Sequence, residues 1–216
     1  MRKTSLLLIL LLAAAIAAIF YYSRKSSVKN NKTKTPAAAF AIIKKDDHQL
    51  KKLQQKAKEL KLFAKKNNYE TSVYFLVDMS VHSGKFRFYI YDANADTVKA
   101  TGLVAHGSCN TKYLAEPVFN NTIGCGCSAL GRYRISYAYK GQFGNAYKLI
   151  GLDSTNNNAF ARNVVLHAWD YPKDEEVYPE YTCNSLGCPM VSYAFLNKLS
   201  AEIKKAKRPV LLWMFN

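Results

Sequence analysis

The chain has 216 residues, of which 49% are hydrophobic and 21% charged, and a formal net charge of +16. That apolar share suffices for one well-buried domain with appendages and argues against a disordered chain. The charge is lopsided: residues 1–70 hold 16 Lys and Arg against 4 Asp and Glu, and the remainder holds 15 against 11. The basic excess therefore belongs to a leader and a helix. No nucleic-acid motif or aromatic-interleaved basic patch accompanies it, so nucleic acid is not an expected partner.

Arg2 and Lys3 precede an uncharged run from Leu6 to Tyr22, roughly 26 Å if helical, which is long for a signal-peptide core and just short of a comfortable membrane span. Tyr21, Tyr22, Arg24 and Lys25 resemble an interfacial anchor, while Ala15-Ile16-Ala17 offers a weak cleavage site; residues 1–25 are read as a signal anchor or signal peptide. Five basic residues between 24 and 34 outnumber the two before the run, which the positive-inside rule disfavours for an exported domain. Residues 26–45 form a polar linker.

Residues 46–69 are expected as an amphipathic helix packing on the domain, capped by Asp46, with Leu50, Leu53, Ala57, Leu60 and Ala64 on one face. The pattern then changes to β. Val73–Met79, Phe86–Tyr91 and Val98–Val104 are apolar, aromatic and β-branched, with His82-Ser83-Gly84-Lys85 as a hairpin turn between the first two. Further strands are expected at Arg134–Tyr139, Tyr147–Ile150 and Val164–His167 between Gly, Asn and Asp turns. Ser192 should cap a helix with Phe195, Leu196, Leu199 and Ile203 inward, and a last strand follows Pro209. Residues 70–216 thus make one mainly β domain of α+β class.

Chemistry concentrates in Val164-Val165-Leu166-His167-Ala168-Trp169-Asp170 and Cys183-Asn184-Ser185-Leu186-Gly187-Cys188-Pro189-Met190. A histidine ending an apolar strand projects from the sheet edge, and a cysteine after glycine sits in a tight turn. A free thiol is only a few per cent ionised at neutral pH, and a nearby imidazole supplies a base and favours the anion. Amides of Gly187 and Cys188 facing a substrate carbonyl would hold its oxyanion, each such donor being worth about 3 kcal/mol of barrier.

These residues resemble the catalytic-domain family of L,D-transpeptidases, in which a strand-end His is followed by a Ser/Thr-x-Gly-Cys turn some twenty residues on. His167 and Ser185-Leu186-Gly187-Cys188 match that order, most like the Gly-Cys-Pro branch, and the likeness runs over roughly residues 70–216. Three positions depart from it: Ala168 replaces the common Gly after His, Leu186 replaces the usual His before Gly-Cys, and no Arg follows the Cys. The resemblance implies a β-sandwich with a few flanking helices and Cys188 as nucleophile with His167 as base. It also implies peptidoglycan tetrapeptide stems as substrate and a cell-envelope location, and the apolar run at residues 6–22 would tether the chain at the inner membrane. No metal or organic cofactor is implied. The acceptor, an amine for transfer or water for L,D-carboxypeptidase action, stays open, as does oligomeric state.

Other readings compete at individual residues. Cys188 could pair with Cys183 as a staple in a non-catalytic wall-binding protein; Cys109 with Cys125 or Cys127 is the preferred structural bridge. His106 with Cys109, Cys125 and Cys127 could instead ligate zinc, although the spacing is not a standard one. His106 is a candidate to line the cleft, against the commoner role of a turn histidine satisfied by backbone groups. Trp169 and Tyr171 are candidate walls over the substrate, Arg162 a candidate for a stem carboxylate, and Asp174-Glu175-Glu176 a solvated loop.

Overall fold

A computed structural model describes residues 47–142 and 144–216. The segments 1–25 and 26–45, with the expected anchor, lie outside the described residues. Among the described residues no helix is long and apolar enough to cross a membrane. Helix α1 (Asp47–Lys66) leads into strands β1 (Val73–Asp78), β2 (Phe88–Asp92), β3 (Thr97–Gly102), β4 (Gly131–Gly141), β5 (Gly144–Gly151), β6 (Val165–Ala168) and β7 (Met190–Val191). Helix α2 (Tyr193–Lys205) and strand β8 (Leu211–Phe215) close the chain, giving a sheet-dominated α+β fold.

All eight strands join one hydrogen-bonded sheet in the order β3-β2-β1-β8-β4-β5-β6-β7. The cause is β8. It runs parallel to β1 (Phe75 opposite Leu212) and antiparallel to β4 (Tyr133 opposite Leu212), and so bridges two groups of strands that would otherwise stand apart.

Alternation along β1 between two cores explains why Val73–Val77 are all apolar or aromatic. Val73, Phe75 and Val77 face one core, shared with Tyr133, Leu149, Leu166, Leu212 and the α2 residues Phe195, Leu196 and Leu199. Tyr74 and Leu76 face the second, under α1, where Leu53, Ala57, Leu60 and Ala64 are buried. Burying Leu53 and Leu60 contributes roughly 1.5–3 kcal/mol each. Asp47 in the first turn and Lys65 and Lys66 in the last suit the helix dipole, and Asn68 at φ 61° ends the helix in the left-handed conformation that asparagine tolerates.

A buried polar contact fixes α1 against β1. Asp78, fully buried, accepts from Lys52 Nζ (3.0 Å), Gln49 Nε2 (3.0 Å) and Ser80 Oγ (2.6 Å). Burial alone would raise this carboxyl, but those hydrogen bonds and the Lys52 charge outweigh it and hold it below the usual range. At the other end of the fold Ser192 caps α2 as its sequence suggests, accepting from Phe195 N (3.1 Å), and also donates to Asp174.

Candidate active site

β6 presents alternate residues to opposite sides. Val164, Leu166 and Ala168 enter the core, which leaves Val165 and His167 on the other face. β7 runs parallel to β6, with His167 opposite Met190 and Ala168 opposite Val191. Extending that register two residues back brings Cys188 opposite Val165, one alternation from His167. The Cys188 sulfur accepts the Val165 N–H (3.4 Å), where the ladder's next carbonyl would lie, and is 4.0 Å from the Asn163 carbonyl. Cys188 is a free, partly exposed thiol, as is Cys183, so the staple between them is not formed.

His167 is nearly buried, with its Nδ1 3.1 Å from the Ala168 carbonyl. A carbonyl only accepts, so Nδ1 carries the hydrogen and Nε2 is the basic nitrogen of the neutral ring. Burial is the first influence on both groups and pushes them apart. It lowers His167, against the Ala168 carbonyl, and raises Cys188, against the Val165 N–H and the charges of Lys148 and Arg162. Burial thus favours the neutral form of both the thiol and the ring.

The turn before Cys188 is rigid for reasons visible atom by atom. Ser185 Oγ donates to the Cys188 carbonyl (2.7 Å) and accepts from Gly187 N (3.1 Å), while Ser185 N donates to His106 O (2.8 Å) and Ser108 N to Ser185 O (2.8 Å). The Gly187 amide, expected as one of a pair of oxyanion donors, is thus engaged within the turn by the Ser185 hydroxyl. Among the described residues the Cys188 amide has no protein acceptor. Gly187 itself is required: at φ 106° a Cβ would lie 2.6 Å from the Cys127 carbonyl and 3.1 Å from Arg162 Nη2.

Arg162 is neither a surface ion pair nor an open carboxylate clamp. Its Nη1 donates to Asn120 O (3.0 Å) and its Nη2 to Cys127 O. Cys127 is bridged to Cys109, one of the two expected pairings, and that bridge consumes two of the residues considered for zinc. His106 does not line a cleft: it is fully buried, its Nδ1 accepts from Arg87 Nη2 (2.9 Å), and its Nε2 donates to Leu114 O (3.0 Å). Its ring holds the Leu114 loop beside the Ser185 turn, because Asn184 Nδ2 donates to the same carbonyl (2.9 Å).

Trp169 follows β6 and is partly exposed; its amide donates to Val191 O (3.0 Å). Tyr171 is exposed, at the start of a segment pinned to the His82–Lys85 turn through Val177 N to Gly84 O (2.8 Å) and the tilted contact of the Tyr181 and His82 rings, with centroids 4.1 Å apart. Glu176 accepts from Phe86 N (2.8 Å), so the acidic loop is also an anchor. Two residues near the thiol were not singled out from sequence, Lys148 and Asn163, whose side chains meet at 2.9 Å. The readable signal was a lone lysine in the otherwise apolar Tyr147–Ile150 strand.

A sheet-edge thiol on a braced glycine turn, one strand away from a tautomer-fixed histidine, is an arrangement suited to acyl transfer. Residues 44–213, well over half of the chain, match the model of the L,D-transpeptidase catalytic domain, and the protein belongs to that family. Among solved structures it is similar to an L,D-transpeptidase from Xylanimonas cellulosilytica (12% identity, 67% of this chain and 60% of that one, TM-score 0.40). It is also similar to the helical cell shape determining protein Pgp2 from Campylobacter jejuni (12%, 66% and 47%, 0.40) and an L,D-transpeptidase from Mycobacterium tuberculosis (11%, 67% and 58%, 0.35). The alignments thus span less than two thirds of those chains, and membership rests on the family-model match. No curated protein is similar enough to count as a relative.

Proposed function

We propose that the protein is a cysteine-dependent L,D-transpeptidase acting on peptidoglycan tetrapeptide stems in the cell envelope, tethered by residues 6–22. The observation that carries this reading is the seat of Cys188 opposite Val165, two residues along β6 from His167, in a chain of this family. In the reaction, His167 Nε2 takes the Cys188 proton as the sulfur attacks the carbonyl of the third stem residue. The Cys188 amide supports the oxyanion. Collapse breaks the bond to the terminal D-alanine, whose amine leaves with the proton from His167, and a thioester remains. An amine of a second stem then displaces the thiol, with His167 again moving the proton.

Hydrolysis of the same thioester, an L,D-carboxypeptidase action, is the second outcome, and both follow from one experiment. The purified chain is incubated with tetrapeptide muropeptides and the products are read by mass spectrometry. Cross-linked dimers support transfer and tripeptides support hydrolysis. Cys188→Ala and His167→Ala should remove both products while leaving thermal unfolding nearly unchanged; full activity of Cys188→Ala refutes the assignment. Recovery of the chain in the soluble fraction of lysed cells would refute the tether.

A further inference from the structure

Lys148 stands in the middle of β5 with only 5% of its surface exposed. Tyr147 and Leu149 enter the core, so Lys148 points to the opposite face, the face of His167. Its Nζ donates to Asn163 Oδ1 (2.9 Å) and lies 4.7 Å from the centroid of the Phe160 ring. Among the described residues no carboxylate is within ion-pair distance of this ammonium. A buried cation without a counter-charge is costly to keep, and burial does lower Lys148 from its ordinary range.

Two connections lead from this ammonium to the thiol. Lys148 pairs in register with Val165, whose amide donates to the Cys188 sulfur (3.4 Å). Asn163, in left-handed backbone at φ 56°, gives its side-chain oxygen to Lys148 and turns its main-chain oxygen toward the sulfur (4.0 Å). The ammonium and the thiol are two arms of one cluster centred on Asn163. The nearby Arg162 guanidinium, by contrast, is already shared between two carbonyls.

We propose that Lys148 is the positioning cation of the site, supplying the counter-charge for the Cys188 thiolate, with Asn163 holding ammonium and sulfur in place together. The inference rests on Cys188 being the nucleophile. When Cys188 ionises its proton passes to His167; Lys148 keeps its own proton throughout and contributes charge alone.

The test is the pH profile of Cys188 alkylation by iodoacetamide in the purified full chain, followed by peptide mass spectrometry so that Cys125 and Cys183 are scored separately. Lys148→Met should move the midpoint upward by about one pH unit, slowing alkylation near neutral pH about tenfold. Its unfolding temperature should hold or rise, because an apolar side chain replaces an uncompensated charge. Asn163→Gly, which keeps the left-handed backbone and removes the tether, should give a smaller shift of the same sign and carries the test if Lys148→Met does not fold. An unmoved profile in the folded variant overturns the proposal, and an unmoved profile with a raised KM for stem peptide would make the ammonium a receptor for a substrate carboxylate instead. Alkylation reports on the thiol whether or not the chain joins stem peptides, so this result and the failure of the transpeptidase reading are distinguishable.

Discussion

Acidification should destabilise the protein through His106. The ring is fully buried, takes the Arg87 guanidinium on Nδ1 and spends its own hydrogen on Leu114 O, so it has no place for a second proton. Burial first, and the Arg87 charge second, lower it from 6.5 to about 4. The unfolded chain takes up a proton near pH 6.5 and the folded chain does not, so this contribution is complete above pH 6.5 and is lost as pH falls toward 4. Each pH unit across that window is worth about 1.4 kcal/mol, roughly 3 kcal/mol in all. His106→Gln offers an acceptor to Arg87 and a donor to Leu114 but does not titrate. Urea unfolding followed by tryptophan fluorescence, at steps from about pH 7.5 to about pH 4.5, should show the wild type losing its advantage over the variant as pH falls. Asp78 and His167 titrate in both proteins and cancel in the comparison. Parallel curves for the two proteins would refute the reasoning.

Ser185→Ala removes a donor to Cys188 O and an acceptor for Gly187 N at a buried position, which should cost about 2 kcal/mol and lower Tm by roughly 4–8 °C in calorimetry, with Ser185→Thr, which keeps the hydroxyl, recovering most of the loss. Gly187→Ala forces a Cβ against the Cys127 carbonyl at φ 106°, and turnover of muropeptides should fall at least about tenfold through displacement of the thiol. Lys52→Met strips Asp78 of its cation but leaves Gln49 and Ser80, and since Lys52 is partly exposed the expected loss is about 2 kcal/mol by urea titration at neutral pH. Because Asp78 is held below its usual value, its contribution is present above about pH 4 and is lost on further acidification; Asp78→Asn should flatten that acid limb.

Local signals in the sequence were legible where the physics is local. The Leu50–Ala64 stripe, the Ser192 cap and the apolar, β-branched run Val73–Met79 each match an observed element. Pairing between distant strands was not legible. Nothing in Leu211–Phe215 distinguishes an edge strand from one inserted between β1 and β4, because an apolar run reports burial on both faces and says nothing of its neighbours. β7, with two residues, is too short to leave a periodic trace, yet its register is what seats Cys188 beside β6. The role of Gly187 was half legible: its freedom at φ 106° follows from the residue type, whereas the capture of its amide by Ser185 depends on a turn geometry that spacing does not encode. Lys148 follows the same logic, since its lone charge in β5 marks the non-core face but only the register shows that this face carries the thiol.

Opposite shifts at Cys188 and His167 constrain how acyl transfer would begin. A thiol raised by burial and an imidazole lowered by burial both favour their neutral forms. On the proposed reading the proton then moves as the sulfur attacks, with His167 acting as a general base during bond formation rather than as the partner of a standing thiolate. The rate should accordingly rise with pH through an ionisation below the usual histidine value of 6.5, since the ring must be neutral to accept the proton. The positive field of Lys148 and Arg162 lowers the cost of that transfer without abolishing it. Removing the Lys148 charge would therefore slow the attack itself while leaving this lower limb, which belongs to His167, where it was.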